Sequence, residues 1–163
     1  MTPTKPTAAK RSAARNAAKP WSDEERAAMQ ASVRERKAAA GRGSGDERAE
    51  GERDVRAKIA EMPTADRVMA ERIHELVTAT APSLVPRTYY GMPAYAREGK
   101  VICFFKPASK FKVRYSTFEF QPDARIDDGV MWPVAFAVTE LTPASEARIA
   151  ELVKQAVSGG PTP

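Results

Sequence analysis

Residues 88–115 constrain the fold of this chain more than any other stretch, because three strand-like runs follow one another there with almost nothing between them. In residues 110–115 apolar and basic side chains alternate, which is typical of an antiparallel strand with one face in a core and the other in water. Residues 101–105 are apolar at every position, which indicates a strand covered on both faces. The stretch therefore predicts the centre of an antiparallel sheet.

Turn sequences separate these runs. Residues 98–100, Glu-Gly-Lys, predict a tight hairpin, and residues 106–109, with a proline and small side chains, predict a second turn. Gly91 and Pro93 interrupt the first run, where the missing side chain and the missing N–H donor favour a bulge or an edge position. The segment YYGMP is thus predicted to be a bend between two short extended pieces.

Three helices are predicted from caps and apolar stripes. Ser22 and Glu25 form a capping-box sequence that begins the first helix. The second covers residues 63–80, with Thr64 as its N-cap and a continuous apolar stripe. The third begins at Thr142, where proline occupies the first helical position, and ends at a glycine pair near the end of the chain.

The fold class follows from these segments. Residues 131–140 are predicted to form the last strand, whose small residues Ala135 and Ala137 lie on a face that a helix can approach closely. Together the segments predict an α+β fold, with an antiparallel sheet of four to five strands and helices packed mainly on one face.

Composition divides the chain into successive regions. The first region holds no residue that could anchor a core, and a Gly-Arg-Gly-Ser-Gly run interrupts the helical pattern further on. We therefore predict a disordered basic tail over residues 1–20, a satellite helix over 21–40, a flexible linker over 41–51, the main domain over 52–158 and a disordered C-terminus over 159–163.

The basic character of the chain lies in its tail. The formal net charge is +5, and the first twenty residues carry five bases and no acid, namely Lys5, Lys10, Arg11, Arg15 and Lys19. Such a tail attracts phosphate groups without reading sequence. We expect either weak nonspecific contact with nucleic acid or a purely solubilising role.

Cysteine content and hydropathy indicate the compartment. Cys103 is the one cysteine in the chain, so no intramolecular disulfide can form, and this fits a reducing environment. No apolar run approaches the roughly twenty residues that cross a bilayer, and the first residues lack the apolar centre of a secretory signal. The sequence predicts a cytoplasmic protein that does not enter a membrane.

No catalytic arrangement is recognisable in the sequence. His74 is the one histidine, and the chain has no phosphate-binding glycine loop, no dinucleotide-binding fingerprint and no Cys-x-x-Cys pair. We therefore expect a binding or accessory module rather than an enzyme.

Several segments together resemble one family. AERIHELV, YYGMPAY, GKVICFF, K-F-K-x-R-Y, DDGVMWP and TPASEARI resemble the YdhG-like family of small bacterial proteins, over about residues 52–158. The resemblance implies a sandwich of helices on an antiparallel sheet. One branch of that family is a frataxin-like iron chaperone, which implies handling of transient iron and an iron-recipient partner protein.

The helix over residues 63–80 carries the candidate metal ligands. Glu71, His74 and Glu75 are spaced so that their side chains project from one face. This face predicts a weak, oxygen-rich site suited to transient iron. The alternative is an ordinary solvated face, with Glu71 paired to Arg67.

The central sheet offers a second candidate site, a basic face with interleaved tyrosines. It predicts binding of a small anionic ligand, a nucleotide or single-stranded nucleic acid, unless acidic residues of neighbouring strands neutralise it. The bend at Gly91 also favours a pocket for a small organic ligand. The candidate ligand-binding residues are Tyr90, Gly91, Met92, Pro93, Tyr95, Lys110, Lys112 and Arg114.

Overall fold

The computed structural model describes residues 20–41 and 46–158. The predicted disordered tail (apart from Pro20), residues 42–45 of the predicted linker and the predicted disordered C-terminus lie outside the described residues. Within the described ranges the elements are α1 (Asp23–Ala40), α2 (Glu47–Ala60), α3 (Thr64–Thr80), β1 (Val85–Tyr89), β2 (Met92–Arg97), β3 (Lys100–Lys106), α4 (Ala108–Phe111), β4 (Ser116–Phe120), β5 (Ala135–Val138) and α5 (Pro143–Ser158).

The predicted α+β fold is confirmed. The five strands form one antiparallel sheet in the order β1-β2-β3-β4-β5. Tyr90 and Gly91 join β1 to β2, with φ of 50° and 75°, and Glu98 and Gly99 join β2 to β3, with φ of 53° and 78°. Two consecutive positive φ values are what a two-residue hairpin requires, so the hairpin predicted at residues 98–100 is confirmed and the YYGMP bend is a second hairpin.

The helices divide between the two faces of the sheet. The large core contains Tyr95, Phe105 and Phe118 from the sheet and is closed by the apolar stripes of α2, α3 and α5. A smaller core of Met92, Ala94 and Phe104 lies on the opposite face. These residues alternate along β2 and β3 with Tyr95 and with Cys103, its partner in the ladder, which face the large core. Helix α1 packs on this second face.

Helix α2 lies close against β1. A Cβ atom added at Gly51 would sit 1.9 Å from the carbonyl oxygen of Pro86, so the two backbones touch at this glycine. Arg48 donates from its guanidinium to the carbonyl oxygens of Leu84 at 3.1 Å and Pro82 at 2.9 Å. Because α2 begins at Glu47, the last five residues of the predicted linker are helical.

The predicted strand over residues 110–115 is wrong. Its first residues belong to α4, Lys112 adopts a left-handed conformation, and Val113 and Tyr115, which were expected to face the core, are exposed. The cause is a tertiary contact. The buried carboxylate of Asp66 accepts hydrogen bonds from the N–H of Ser109 at 3.0 Å and from its hydroxyl group, which holds the chain in a helical turn.

Two expectations about strand boundaries also need correction. β5 covers only Ala135–Val138, and its Ala135 and Ala137 are exposed rather than covered by a helix. Pro93 lies in the inner strand β2, not at an edge, and pairs with Thr88 of β1. The ladder with β3 begins one residue later, at Ala94, so the missing N–H of Pro93 interrupts no pairing with β3. The alternative expectation of a bulge fits better, since β2 has a register shift between Tyr95 and Ala96.

The helix starts agree with the sequence at two of three sites. The capping box of α1 is formed, with Glu25 N–H donating to Ser22 Oγ at 3.1 Å and Ser22 N–H donating to the Glu25 carboxylate at 2.8 Å. Thr142 Oγ1 accepts from the N–H of Ser145 at 3.2 Å and caps α5. Thr64 is instead the first residue of α3, after Pro63. Among the described helices, none has both the length and the apolar content to cross a membrane.

Candidate functional site

A cavity of about 340 Å³ opens between α1 and the second face of the sheet. Helix α1 supplies one wall, and the end of β1, the β2–β3 turn and the segment after β4 supply the others. Its lining residues are Ser32, Glu35, Arg36, Arg87, Tyr89, Tyr90, Gly99, Lys100, Val101, Gln121, Pro122 and Asp123.

Three cations border the cavity, from three different elements. They are Arg36 of α1, Arg87 of β1 and Lys100 of β3. Lys100 lies 3.5 Å from Asp123, one of the acidic residues expected to neutralise the basic face. Arg87 donates to two backbone carbonyl oxygens, those of Gly99 at 3.4 Å and Thr88 at 3.5 Å, and both contacts are long, so its guanidinium keeps donors for another acceptor.

Aromatic rings form the sheet side of the cavity. Tyr89 and Tyr90 meet edge to face, with 4.6 Å between their ring centroids, and Tyr89 also packs on Phe104 of the smaller core. Burial raises the pKa of Tyr89, so its hydroxyl stays a neutral hydrogen-bonding group. The cavity thus combines cations with aromatic rings, as anion-binding surfaces for ring-bearing ligands do.

The β1–β2 hairpin already binds a carboxylate at the margin of this cavity. Glu35 of α1 accepts hydrogen bonds from the N–H of Tyr90 at 2.9 Å and from the N–H of Gly91 at 2.8 Å, one to each carboxylate oxygen. A Cβ atom at Gly91 would overlap the Lys110 ammonium group, which therefore lies against the same turn. Burial and then Lys58 lower the pKa of Lys110, while Glu35 favours its charged form.

The structure brings together three of the eight predicted ligand-binding residues. Tyr90 lines the cavity, while Gly91 and Lys110 surround the Glu35 carboxylate. The other five lie elsewhere. Met92, Pro93 and Tyr95 are buried in the cores, Lys112 pairs with Glu24 of α1 at 2.5 Å, and Arg114 lies over the exposed ring of Tyr115.

His74, the central residue of the predicted metal site, is buried rather than exposed. Its Nε2 lies 2.8 Å from Glu52 Oε1 of α2, and its Nδ1 lies 3.0 Å from the Tyr95 hydroxyl. The carboxylate accepts only, so Nε2 carries a proton, and Nδ1 shares a hydrogen bond with the Tyr95 hydroxyl. The expected placement of His74 on the outer face of its helix is therefore wrong. The histidine joins α3 to α2 and β2.

The carboxylate of Glu52 is stabilised by this network. Burial acts to raise its pKa, but the hydrogen bond and charge of His74 and the contact with Arg56 at 2.6 Å outweigh burial and lower it from the ordinary value of 4.5. A lowered pKa means that the ionised carboxylate stabilises the fold above the ordinary value and that this contribution is lost as the pH falls through the folded-state pKa.

We expect Glu52→Gln to lower the free energy of unfolding at neutral pH and to have a smaller effect in acid. The difference from the unsubstituted protein should shrink as the pH falls below 4.5 and through the lower pKa of the folded state, where the native carboxylate becomes protonated as well. Urea denaturation of both proteins across this range measures the difference. A difference that stays constant well below that pH would contradict the role given to the ionised form.

Glu71 and Glu75 border an open groove between α2 and α3, of about 570 Å³, together with the edge of His74. Glu75 pairs with Arg72 at 3.1 Å, and Arg72 also forms a bidentate contact with Glu146 of α5. Within residues 20–41 and 46–158 no three His, Cys, Asp or Glu side chains are grouped so that they could hold a metal ion. Iron handling at Glu71, His74 and Glu75 stays a prediction.

Sequence reasoning missed the part that α1 plays in the site. Glu35 and Arg36 belong to a helix described only as a satellite of the domain. A signal was present, since Ala28, Ala31 and Ser32 are the buried residues of α1 and form a narrow stripe at helical spacing with Glu35. That stripe shows which face of α1 is covered. It does not show which surface covers it.

Comparison with known proteins adds no relative to this picture. No family model, curated protein or solved structure matches the chain. The resemblance to the YdhG-like family and the absence of catalytic activity therefore stay predictions, and the cavity under α1 is the main basis for a functional proposal.

Proposed function

We propose that the protein is a binding module for a small anionic ligand, which occupies the cavity between α1 and the sheet. The observation that supports this most is the convergence of Arg36, Arg87 and Lys100 on one cavity walled by Tyr89 and Tyr90. Of the three cations, Lys100 is paired with Asp123, which also lines the cavity, so Arg87 is the one best placed to donate hydrogen bonds to an added anion.

The cavity favours a small molecule over a single-stranded nucleic acid. A surface that follows a nucleic-acid backbone must be open along its length, with bases stacked on successive aromatic rings. Here α1 crosses the face, and the rings of Tyr89 and Tyr90 contact each other edge to face. A ligand with one or two acid groups and a flat apolar part fits the combination of cations and rings.

We expect Arg87→Gln to weaken the binding of such a ligand at least tenfold. Arg87 is half-buried and presents donors to the cavity, and a lost charge-assisted hydrogen bond costs about 1.5 to 3 kcal/mol. Calorimetric titration of the full chain at low ionic strength with inorganic pyrophosphate, citrate and adenosine diphosphate measures the affinities, with an oligonucleotide as the fourth probe.

The matched control is Arg148→Gln. Arg148 lies on α5, where it pairs with Glu151 at 3.1 Å and does not line this cavity. The control removes the same charge and leaves the basic tail unchanged, so any loss specific to Arg87→Gln belongs to the cavity. The proposal fails if none of the three small probes binds saturably, or if both variants lose affinity equally. Saturable binding of the oligonucleotide alone would favour the nucleic-acid alternative.

A further inference from the structure

Helix α1 holds a carboxylate in a site built from backbone N–H groups. Tyr90 and Gly91 both have positive φ, and their adjacent N–H groups point to the two oxygens of Glu35. Successive N–H groups in such turns form a concave anion-binding site. The Lys110 ammonium group lies beside the turn and adds a positive charge. This site recognises a carboxylate or a phosphate equally well, because both present two oxygens to paired donors.

The remaining contacts of α1 are weak. Its buried residues are the small Ala28, Ala31 and Ser32. Its larger apolar side chains are less covered, since Met29 is only half-buried and Val33 is 43% exposed. The ion pair between Glu24 of α1 and Lys112 has an exposed lysine side chain, and exposed ion pairs contribute little to stability. Each of the other long helices instead buries branched apolar residues in the large core. The Glu35 carboxylate is therefore the main attachment of α1.

Helix α1 has little packing to retain it once Glu35 is released. A helix in a protein draws most of its stability from the packing of its apolar face, and the fully buried residues of α1 are all small. Release of Glu35 from the hairpin would thus separate α1 from the sheet and largely unfold it.

We propose that α1 is a displaceable cover and that Glu35 is its latch, an internal carboxylate occupying the position that the acid group of a ligand takes. This inference rests on the proposed function, since the ligand is the anion that binds in the adjoining cavity. Glu35 lines that cavity, so an incoming carboxylate or phosphate meets a like charge there and competes for the N–H groups of Tyr90 and Gly91. Ligand binding and docking of α1 then oppose each other, and each weakens the other by the same factor.

Hydrogen exchange on the full chain tests the latch without any ligand. Glu35→Gln leaves one acceptor oxygen and turns an amide NH₂ group toward a backbone N–H, so we expect the amides of α1 to exchange at least tenfold faster. Glu24→Gln is the matched control, because it makes the same change on the same helix and weakens the exposed pair with Lys112 without altering the contact with the hairpin. We expect it to change exchange less than threefold. Equal effects of the two substitutions, or unchanged exchange in Glu35→Gln, would overturn the latch.

A second arm adds saturating inorganic pyrophosphate or citrate to the unsubstituted protein. We expect both probes to speed exchange in α1 and to leave α5 unchanged. A response to pyrophosphate alone or to citrate alone identifies phosphate or carboxylate as the preferred acid group, and either response supports displacement. Failure of every probe to bind would overturn the proposed function, whereas saturable binding with unchanged exchange in α1 would overturn the latch alone.

Discussion

Replacing Gly51 with alanine is expected to lower the free energy of unfolding by about 2 to 3 kcal/mol. In an ordinary helix the same change stabilises by about 1 kcal/mol, because alanine has the higher helix propensity. Here the added methyl group would lie 1.9 Å from the carbonyl oxygen of Pro86. That oxygen belongs to the backbone of β1 and cannot rotate away, so α2 must shift off the sheet and lose part of its packing.

Chemical denaturation of Gly51→Ala and Gly41→Ala measures this effect with a matched pair. Gly41 follows α1 in a right-handed conformation, and a Cβ there meets its nearest atom at an ordinary 3.7 Å. Gly41→Ala should therefore change stability by less than about 0.5 kcal/mol. If Gly51→Ala were as stable as the unsubstituted protein, this would contradict the conclusion that α2 and β1 lie too close together for a methyl group at this position.

Substitution of His74 by alanine should destabilise the protein by about 3 kcal/mol. The change removes a buried ring, leaves the Tyr95 hydroxyl without its hydrogen-bond partner and deprives Glu52 of a hydrogen bond. Tyr95 is fully buried, and burial raises its pKa well above the ordinary value, so the hydroxyl cannot ionise to relieve the loss. Urea denaturation gives the free energy of unfolding.

A double-mutant cycle with Tyr95→Phe isolates the hydrogen bond between the two residues. Tyr95→Phe alone should cost about 1 to 2 kcal/mol, and its cost should fall in the His74→Ala background, where the hydrogen-bond partner is already gone. Tyr115→Phe removes the hydroxyl of an exposed tyrosine and should have almost no effect. Additive losses for His74 and Tyr95 would show that their contact does not stabilise the fold.

The sequence was informative where local signals decide the structure. The glycine turn at residues 98–100, the capping box of Ser22 and the proline after Thr142 each act over a few residues, and the structure follows them. Residues 110–115 show the limit. Their alternation is that of a strand, but Ser109 donates hydrogen bonds to Asp66, more than forty residues earlier in the chain, and these hold it in a helical turn.

The candidate site was predictable only in part, for a related physical reason. The basic and aromatic residues of the hairpin region could be identified from composition, and Tyr90, Gly91 and Lys110 do lie together. Glu35 could not, because a polar residue on a solvated helix looks the same whether or not it meets a partner from another element. The prediction for His74 was wrong in the opposite sense, because the residue was expected to be exposed and is buried. Helical spacing alone does not separate a buried polar residue from an exposed one.

The order of the strands has a consequence for how quickly the protein folds. Each strand pairs with the next strand in the chain, and two of the four connections are two-residue turns, so half of the pairings in the sheet are closed by tight hairpins. Closing such short loops costs little chain entropy, which favours rapid growth of the sheet by successive hairpins. The packing of α5 on α3 is different, because the Arg72 and Glu146 that join them are 74 residues apart. We therefore expect the docking of the last helix, rather than the formation of the sheet, to limit the folding rate.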